Sequence, residues 1–173
     1  IIRKYIQYLE SAFLIKIVTR TDDTAKRFQR QTTFKIYLTN PSLRCALFEP
    51  VKIIDGNIGD MIETAIYSQW IPRNDHIAYA NWKVGRTQGE VDLVGINDAL
   101  QKPYWAVEIK WTDRFFDRPT ELSSLKYFME KNLLQQALVT SISQAGLKET
   151  SFGRLLFIPS ACYAYTVEEN TLR

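Results

Sequence analysis

Residues 89–111 read GEVDLVGINDALQKPYWAVEIKW. Two strand-like runs, Glu90 to Gly95 and Tyr104 to Trp111, flank a polar turn. Side chains two apart along a strand share a face. Glu90 and Asp92 therefore share a face of the first run with Val94, and Val91 and Leu93 take the other. In the second run Trp105, Val107, Ile109 and Trp111 form one apolar face, and Tyr104, Ala106, Glu108 and Lys110 the opposite one. Both faces read as buried until the charges begin at the strand end. If the runs pair, three carboxylates and an ammonium converge at one edge of a sheet, an arrangement costly to bury unless it is solvated or holds a cation.

The flanking sequence supplies the layers for such a sheet. Upstream, Gly56 to Trp70 is the strongest helix signal: Ile58, Met61, Ile62, Ala65, Ile66 and Gln69 recur at helical spacing, Glu63 lies at the margin of that face, and Pro72 ends the run. Ile77 to Val84 is a strand with Tyr79 and Trp82, joined to the central stretch by a hairpin-like turn over Gly85 to Gly89. Downstream, Thr120 to Lys131 is an amphipathic helix with Leu122, Leu125, Phe128 and Met129 inward. Gln136 to Ile142 and Arg154 to Pro159 are strands separated by a Gly-containing loop, and the tail after Pro159 is ambiguous. The expected class is α/β, a mixed sheet flanked by helices.

Residues 1–50 read differently. Ile2 to Ala12 is a helix whose stripe of Ile2, Tyr5, Ile6 and Leu9 continues to Phe13. A β-branched run follows to Val18, then a polar loop from Thr19 to Thr33, then a strand over Phe34 to Leu38. Helix, strand, basic loop, strand is the order of the last half of a winged-helix module, with Arg20, Lys26, Arg27 and Arg30 on the wing. Asn40-Pro41 opens a short helix. The expected division is thus a partial winged-helix segment over 1–50 and an α/β domain over 51–173. The first fifty residues hold nine Lys/Arg against four Asp/Glu, a net of +5; the remainder holds thirteen against fifteen, a net of −2. That asymmetry points to an anionic partner at the N-terminal side, nucleic acid first.

Composition narrows the chemistry. Cys45 and Cys162 are the only cysteines and His76 the only histidine. Two thiols and no visible signal peptide favour a reducing, cytoplasmic setting and leave no cysteine zinc site. His76 follows Asn74 and Asp75 in a turn, which suits a surface residue, and no nucleophile elbow accompanies it. No apolar run approaches the roughly 20 residues that span a membrane. The chain opens inside a helix and without Met, as a piece of a longer polypeptide would. Carboxylate oxygens near one point suit Mg²⁺ or Mn²⁺, and a lysine beside them can orient an attacking water, so these parts describe phosphodiester hydrolysis. The plain alternative is an ion pair between Glu108 and Lys110 worth less than about 1 kcal/mol on a wet edge.

Glu63 on a helix, Asp92 on a strand and Glu108-x-Lys110 on the next strand resemble the PD-(D/E)XK nuclease superfamily, the restriction-endonuclease-like fold. The wider series YIQYLESAFLI, KIYLTNPSLRCALF, GNIGDMIETAIYSQW, GEVDLVG and WAVEIKW resembles the uncharacterised C-terminal domain that follows the P-loop and winged-helix parts of bacterial and archaeal AAA-type ATPases, and it covers the chain to about residue 142. The resemblance implies that Glu63, Asp92 and Glu108 bind Mg²⁺ or Mn²⁺, that Lys110 assists the nucleophilic water, and that an ATPase domain lies upstream in the same polypeptide. Two positions depart from the family pattern. Asn40 stands where an Asp is usual in its K-x-Y-x-x-D segment, and is read here as a helix cap; Thr64 follows the helix Glu where Asn is frequent. No G-x-x-x-x-G-K-[ST] is present, so ATP hydrolysis is not expected of this chain alone. The function expected is a metal-dependent nuclease domain acting on DNA. The alternative is a catalytically silent domain of the same fold that binds DNA or a partner and regulates the ATPase. A third reading, a homo-oligomerisation domain, draws only on the aromatic content.

Overall fold

The hydrophobic alternation across residues 77–111 is realised as three consecutive antiparallel strands, β3 (Ile77–Val84), β4 (Thr87–Asn97) and β5 (Lys102–Glu108). The computed structural model describes residues 1–27, 33–72 and 77–171, with side chains described as far as 167. Arg30 and His76 lie outside the described residues. The remaining strands are β1 (Ile15–Thr21), β2 (Phe34–Leu38), β6 (Gln136–Ser141), β7 (Gly146–Thr150) and β8 (Gly153–Pro159), and all eight form one mixed sheet in the order β2-β1-β3-β4-β5-β6-β8-β7. The helices are α1 (Ile2–Ser11), α2 (Ser42–Leu47), α3 (Ile58–Trp70), α4 (Arg114–Asp117), α5 (Ser123–Asn132) and α6 (Ser160–Thr171). Among the described residues, no helix is long and apolar enough to cross a membrane.

Two apolar clusters cover the two faces of the sheet. Trp82, Val91, Val94 and Ala106 pack with Leu122, Leu125, Phe128 and Met129 of and just before α5, all buried as their spacing anticipates. On the other face Val18, Leu93, Val107 and Ile109 pack with Ile66 and Tyr67 of α3 and with Tyr163 and Val167 of α6. This α/β/α layering follows from chain connectivity: β5 and β6 run parallel, which requires a crossover, and α5 lies within it. The segment before residue 50 extends the sheet, because β1 pairs in parallel with β3 at Arg20–Tyr79 and Thr21–Ala80.

Several local expectations change. Val91 and Leu93 do not share a face: Val91 joins the α5 side and Leu93 the α3/α6 side. Ala78 pairs with Val94 and Ala80 with Val91, so Asp92 and Leu93 together oppose Tyr79 alone. That extra residue is a β-bulge, which reverses the alternation at Asp92. Tyr104 is exposed, so the outer face of β5 is not buried throughout. The Gly-containing loop before β8 contains β7, and the tail forms α6. No residue of α1 is buried, and Phe13, at φ 56°, turns the chain out of the helix with its ring in solvent.

The start of the basic loop folds back onto the body. Asp22 Oδ1 accepts hydrogen bonds from the Thr24 and Lys26 amides at 2.8 and 3.0 Å, forming an Asx turn. The turn buries Ala25 and brings the Asp23 carboxylate to Lys131 and to the Tyr127 hydroxyl at 2.9 Å, while Asn132 donates to the Asp23 carbonyl. Of the expected wing cations, Arg27 pairs with Asp98 at 3.4 Å, Arg20 donates to Thr33 Oγ1 at 3.1 Å, and Lys26 is exposed. Asn40 is not the helix cap expected of it, because the N-cap position of α2 is Pro41; Asn40 Oδ1 instead accepts the Ser42 amide at 2.9 Å in an Asx turn just before the helix.

The close approach at Gly95 gives the sheet a direct test. A Cβ there would lie 2.2 Å from Cε2 and Nε1 of the Trp105 indole, which stacks on Trp70 with ring centroids 5.0 Å apart. Gly95→Ala is expected to lower stability by about 1–3 kcal/mol through overpacking. Urea denaturation measures this; an unchanged midpoint would show that the indole moves aside without cost.

Candidate functional site

β5 ends at Glu108, and the next two residues leave the sheet under firm restraint. The Ile109 amide donates to Asp92 Oδ2 at 2.8 Å, the Lys110 amide donates to Thr140 Oγ1 at 2.8 Å, and Thr140 Oγ1 donates back to the Lys110 carbonyl at 3.0 Å. Ser160, at the start of α6, donates to the Ser141 carbonyl at 3.0 Å and lies 3.4 Å from the Lys110 carbonyl. The middle of β4, the ends of β5 and β6 and the start of α6 thus converge on residues 108–110.

The Lys110 ammonium sits among three oxygens: Glu108 Oε1 at 2.8 Å, the Ile109 carbonyl at 3.3 Å and Asp92 Oδ2 at 3.5 Å. Asp92 and Glu108 are both buried, and Glu108 Oε2 is buried with no hydrogen-bond partner. Burial, reinforced by the Asp92 charge, pushes the Glu108 carboxyl up to about 8 against the pull of Lys110. Burial likewise raises Asp92, again opposed by Lys110. For Lys110 burial works toward a lower value, but the two carboxylates outweigh it and hold the ammonium well above the usual lysine range.

A second ion cluster lies beside the first. Lys35 of β2 bridges Glu63 Oε1 at 2.8 Å and Glu90 Oε1 at 2.6 Å. The Tyr37 hydroxyl also donates to Glu63 Oε1, and Asn81 donates to Glu90 Oε2 at 2.7 Å. Tyr37 stacks on Tyr67 with centroids 3.9 Å apart, and the buried Tyr67 hydroxyl donates to the Asp92 carbonyl. A cleft of about 600 Å³ connects the clusters, with Glu63, Asp92 and Lys110 in its wall beside Asp55, Asp60 and Trp111.

Asp92, Glu108 and Lys110 are therefore brought together, and Asp92 rather than Glu90 is the β4 carboxylate at Lys110. Glu63 lines the same cleft but belongs to the Lys35 cluster. Among the described residues, no group of three or more His, Cys, Asp or Glu side chains is gathered closely enough to hold a metal ion. Of the expected ligand set, Glu63 pairs with Lys35, and Asp92 and Glu108 pair with Lys110. Lys35, Tyr37 and Tyr67 escaped the sequence reading as site residues. The signal for the first two was present in Lys35-Ile36-Tyr37, whose i, i+2 spacing puts both polar groups on one face of β2.

The fold and this cleft define an α/β/α protein with a buried carboxylate–lysine cluster at one end of its sheet. Within the chain, residues 2–52 are similar to a family described as a domain of unknown function (DUF8612), the stretch that carries α1, β1, β2 and α2. No curated protein and no solved structure matches the chain.

Glu108 sets a pH dependence. Its folded value near 8 exceeds the ordinary 4.5, so between these values the native state holds a proton that the unfolded state has released. Its contribution to stability therefore declines as pH rises through this window. Glu108→Gln is expected to flatten that decline, measured as the unfolding free energy from pH 5 to 8. A slope identical to that of the unaltered chain would remove Glu108 as its source.

Proposed function

We propose that the cleft belongs to a divalent-metal-dependent nuclease domain of the PD-(D/E)XK type, hydrolysing phosphodiester bonds of DNA and working alongside an ATPase domain of the same polypeptide. The observation that carries this reading is the oxygen cage around the Lys110 ammonium. Asp92, Glu108 and the Ile109 carbonyl already surround a cation, and Glu108 Oε2 is a buried acceptor lacking a partner. Hard oxygen donors of this kind fit Mg²⁺ or Mn²⁺, with Asp92 and Glu108 as the residues that would hold the ion. When bound, it supplies Lewis-acid polarisation of a phosphate and a more acidic water. Lys110 shares these carboxylates and lines the cleft, so its ammonium is placed to orient a water and to offset developing charge. The bulge at Asp92 supports the reading, since bulges re-aim side chains beside active sites.

A second reading has its own observation. The two lysines already neutralise part of the carboxylate charge from within, as in a silent domain that binds DNA or a partner through the basic N-terminal segment, where Lys26 is exposed. Incubation of the chain with plasmid or branched DNA and Mn²⁺ separates the two. Under the first reading the chain cuts, and Lys110→Ala lowers the rate by about 10²- to 10⁴-fold, the range for a positioned proton-transfer group. Absence of cleavage, or equal cleavage by Lys110→Ala, rejects it. DNA retention that falls steeply with salt and needs no metal supports the second.

A further inference from the structure

We propose that Lys35 is a resident cation that closes the Glu63–Glu90 pair to metal, so that the cleft takes one divalent ion, at Asp92 and Glu108, and not two. The inference rests on the metal-binding part of the proposed function.

The two lysines hold their carboxylates very differently. At Lys110 one contact is short, 2.8 Å to Glu108 Oε1, but the Asp92 contact is long, 3.5 Å, and Glu108 Oε2 has no partner. That pair has oxygen to offer an incoming cation. At Lys35 both contacts are short, 2.8 Å to Glu63 and 2.6 Å to Glu90. Each of those carboxylates has a further donor, the Tyr37 hydroxyl on Glu63 and the Asn81 amide on Glu90. The Lys35 ammonium also lies 5.1 Å from the centre of the Tyr79 ring, within cation–π range. An ion entering the Glu63–Glu90 pair must break two charge-assisted hydrogen bonds and that ring contact. An ion entering the Asp92–Glu108 pair breaks one short charge-assisted hydrogen bond, Lys110 to Glu108 Oε1 at 2.8 Å, and in exchange satisfies an orphaned oxygen. Glu63 therefore stays with Lys35 and is not the third ligand. Because Lys35 and Tyr37 both lie on β2, within residues 2–52, the N-terminal segment supplies the cation that limits the site.

The test is the stoichiometry of Mn²⁺ bound to the 173-residue chain, read by electron paramagnetic resonance and by calorimetric titration. The expected result is one ion per chain, lost in Glu108→Gln. Glu63→Gln should retain that ion without the roughly tenfold or greater loss of affinity that follows removal of a ligand or its support. Lys35→Met, with its fold verified by circular dichroism, should gain a second ion, and Lys35→Arg should stay at one. Two ions in the unaltered chain, or loss of the ion in Glu63→Gln, would overturn the inference while leaving the proposed nuclease reading intact. A single ion in folded Lys35→Met would also overturn it. Binding of no ion at all would remove both.

Discussion

The pairing of Lys110 with two buried carboxylates is the constraint on which this end of the molecule depends. Burial opposes the charge of both Asp92 and Glu108, because an uncompensated buried ion costs several kcal/mol, and Lys110 offsets part of that cost. The compensation is local and covalently short: Lys110 lies two residues beyond Glu108 and reaches back over the strand end. That geometry needs the chain to leave the sheet at a fixed angle. Thr140 and Ser160 provide it by holding the Lys110 backbone from β6 and α6, and Asp92 provides it by accepting the Ile109 amide. Asp92 thus does two things with one oxygen, fixing backbone and receiving an ammonium.

The N-terminal segment reaches the same place by another route. β1 joins the sheet at β3, which sets β2 close to α3. Tyr37 then stacks on Tyr67, and Tyr67 bonds the Asp92 carbonyl. A continuous set of contacts links β2 to the bulge in β4. Burial keeps both phenols protonated well beyond the usual tyrosine range, so each retains the proton it donates, Tyr37 to Glu63 and Tyr67 to the Asp92 carbonyl. The segment matching a family of unknown function therefore holds a residue of the cleft wall, Glu63, from behind, and a substitution in β2 can alter the cleft without touching Asp92 or Glu108.

Much of this was legible from spacing. The apolar periods of α5, β3 and β5 have one solution each, because a slip by one residue would expose Trp82 or Val107. Glu108 and Lys110 were legible for the same reason: polar residues ending an otherwise buried strand imply a site. The parity of β4 was not legible. A bulge arises from pairing with β3, and nothing in GEVDLVG marks which residue is extra. The Lys35 cluster was hidden by sequence distance, since Glu63 lies 28 residues and Glu90 55 residues from Lys35 and only the folded sheet joins them. The anchoring of the start of the basic loop was hidden for the same reason: Asp22 forms a turn there and Asp23 a buried contact to Tyr127 and Lys131 of α5, more than 100 residues on.

Charge balance in the cleft also bears on how nucleic acid could approach it. Glu63, Glu90, Asp92 and Glu108 face two ammonium groups, and Asp55 and Asp60 stand in the same wall. A phosphate entering that cleft without a further cation meets net negative charge in a medium that screens it poorly. The two functional readings therefore demand different surfaces. Hydrolysis in the cleft needs a bound divalent ion to draw the phosphodiester in, whereas metal-free DNA binding must use the basic surface near Lys26 and leave the carboxylates unused. Buried carboxylates retained for no ligand would carry a continuing desolvation cost, and the orphaned Glu108 oxygen concentrates that cost at one atom. Under the proposed hydrolysis a cation held there would give that oxygen a partner, beside a backbone fixed by Thr140 and Ser160.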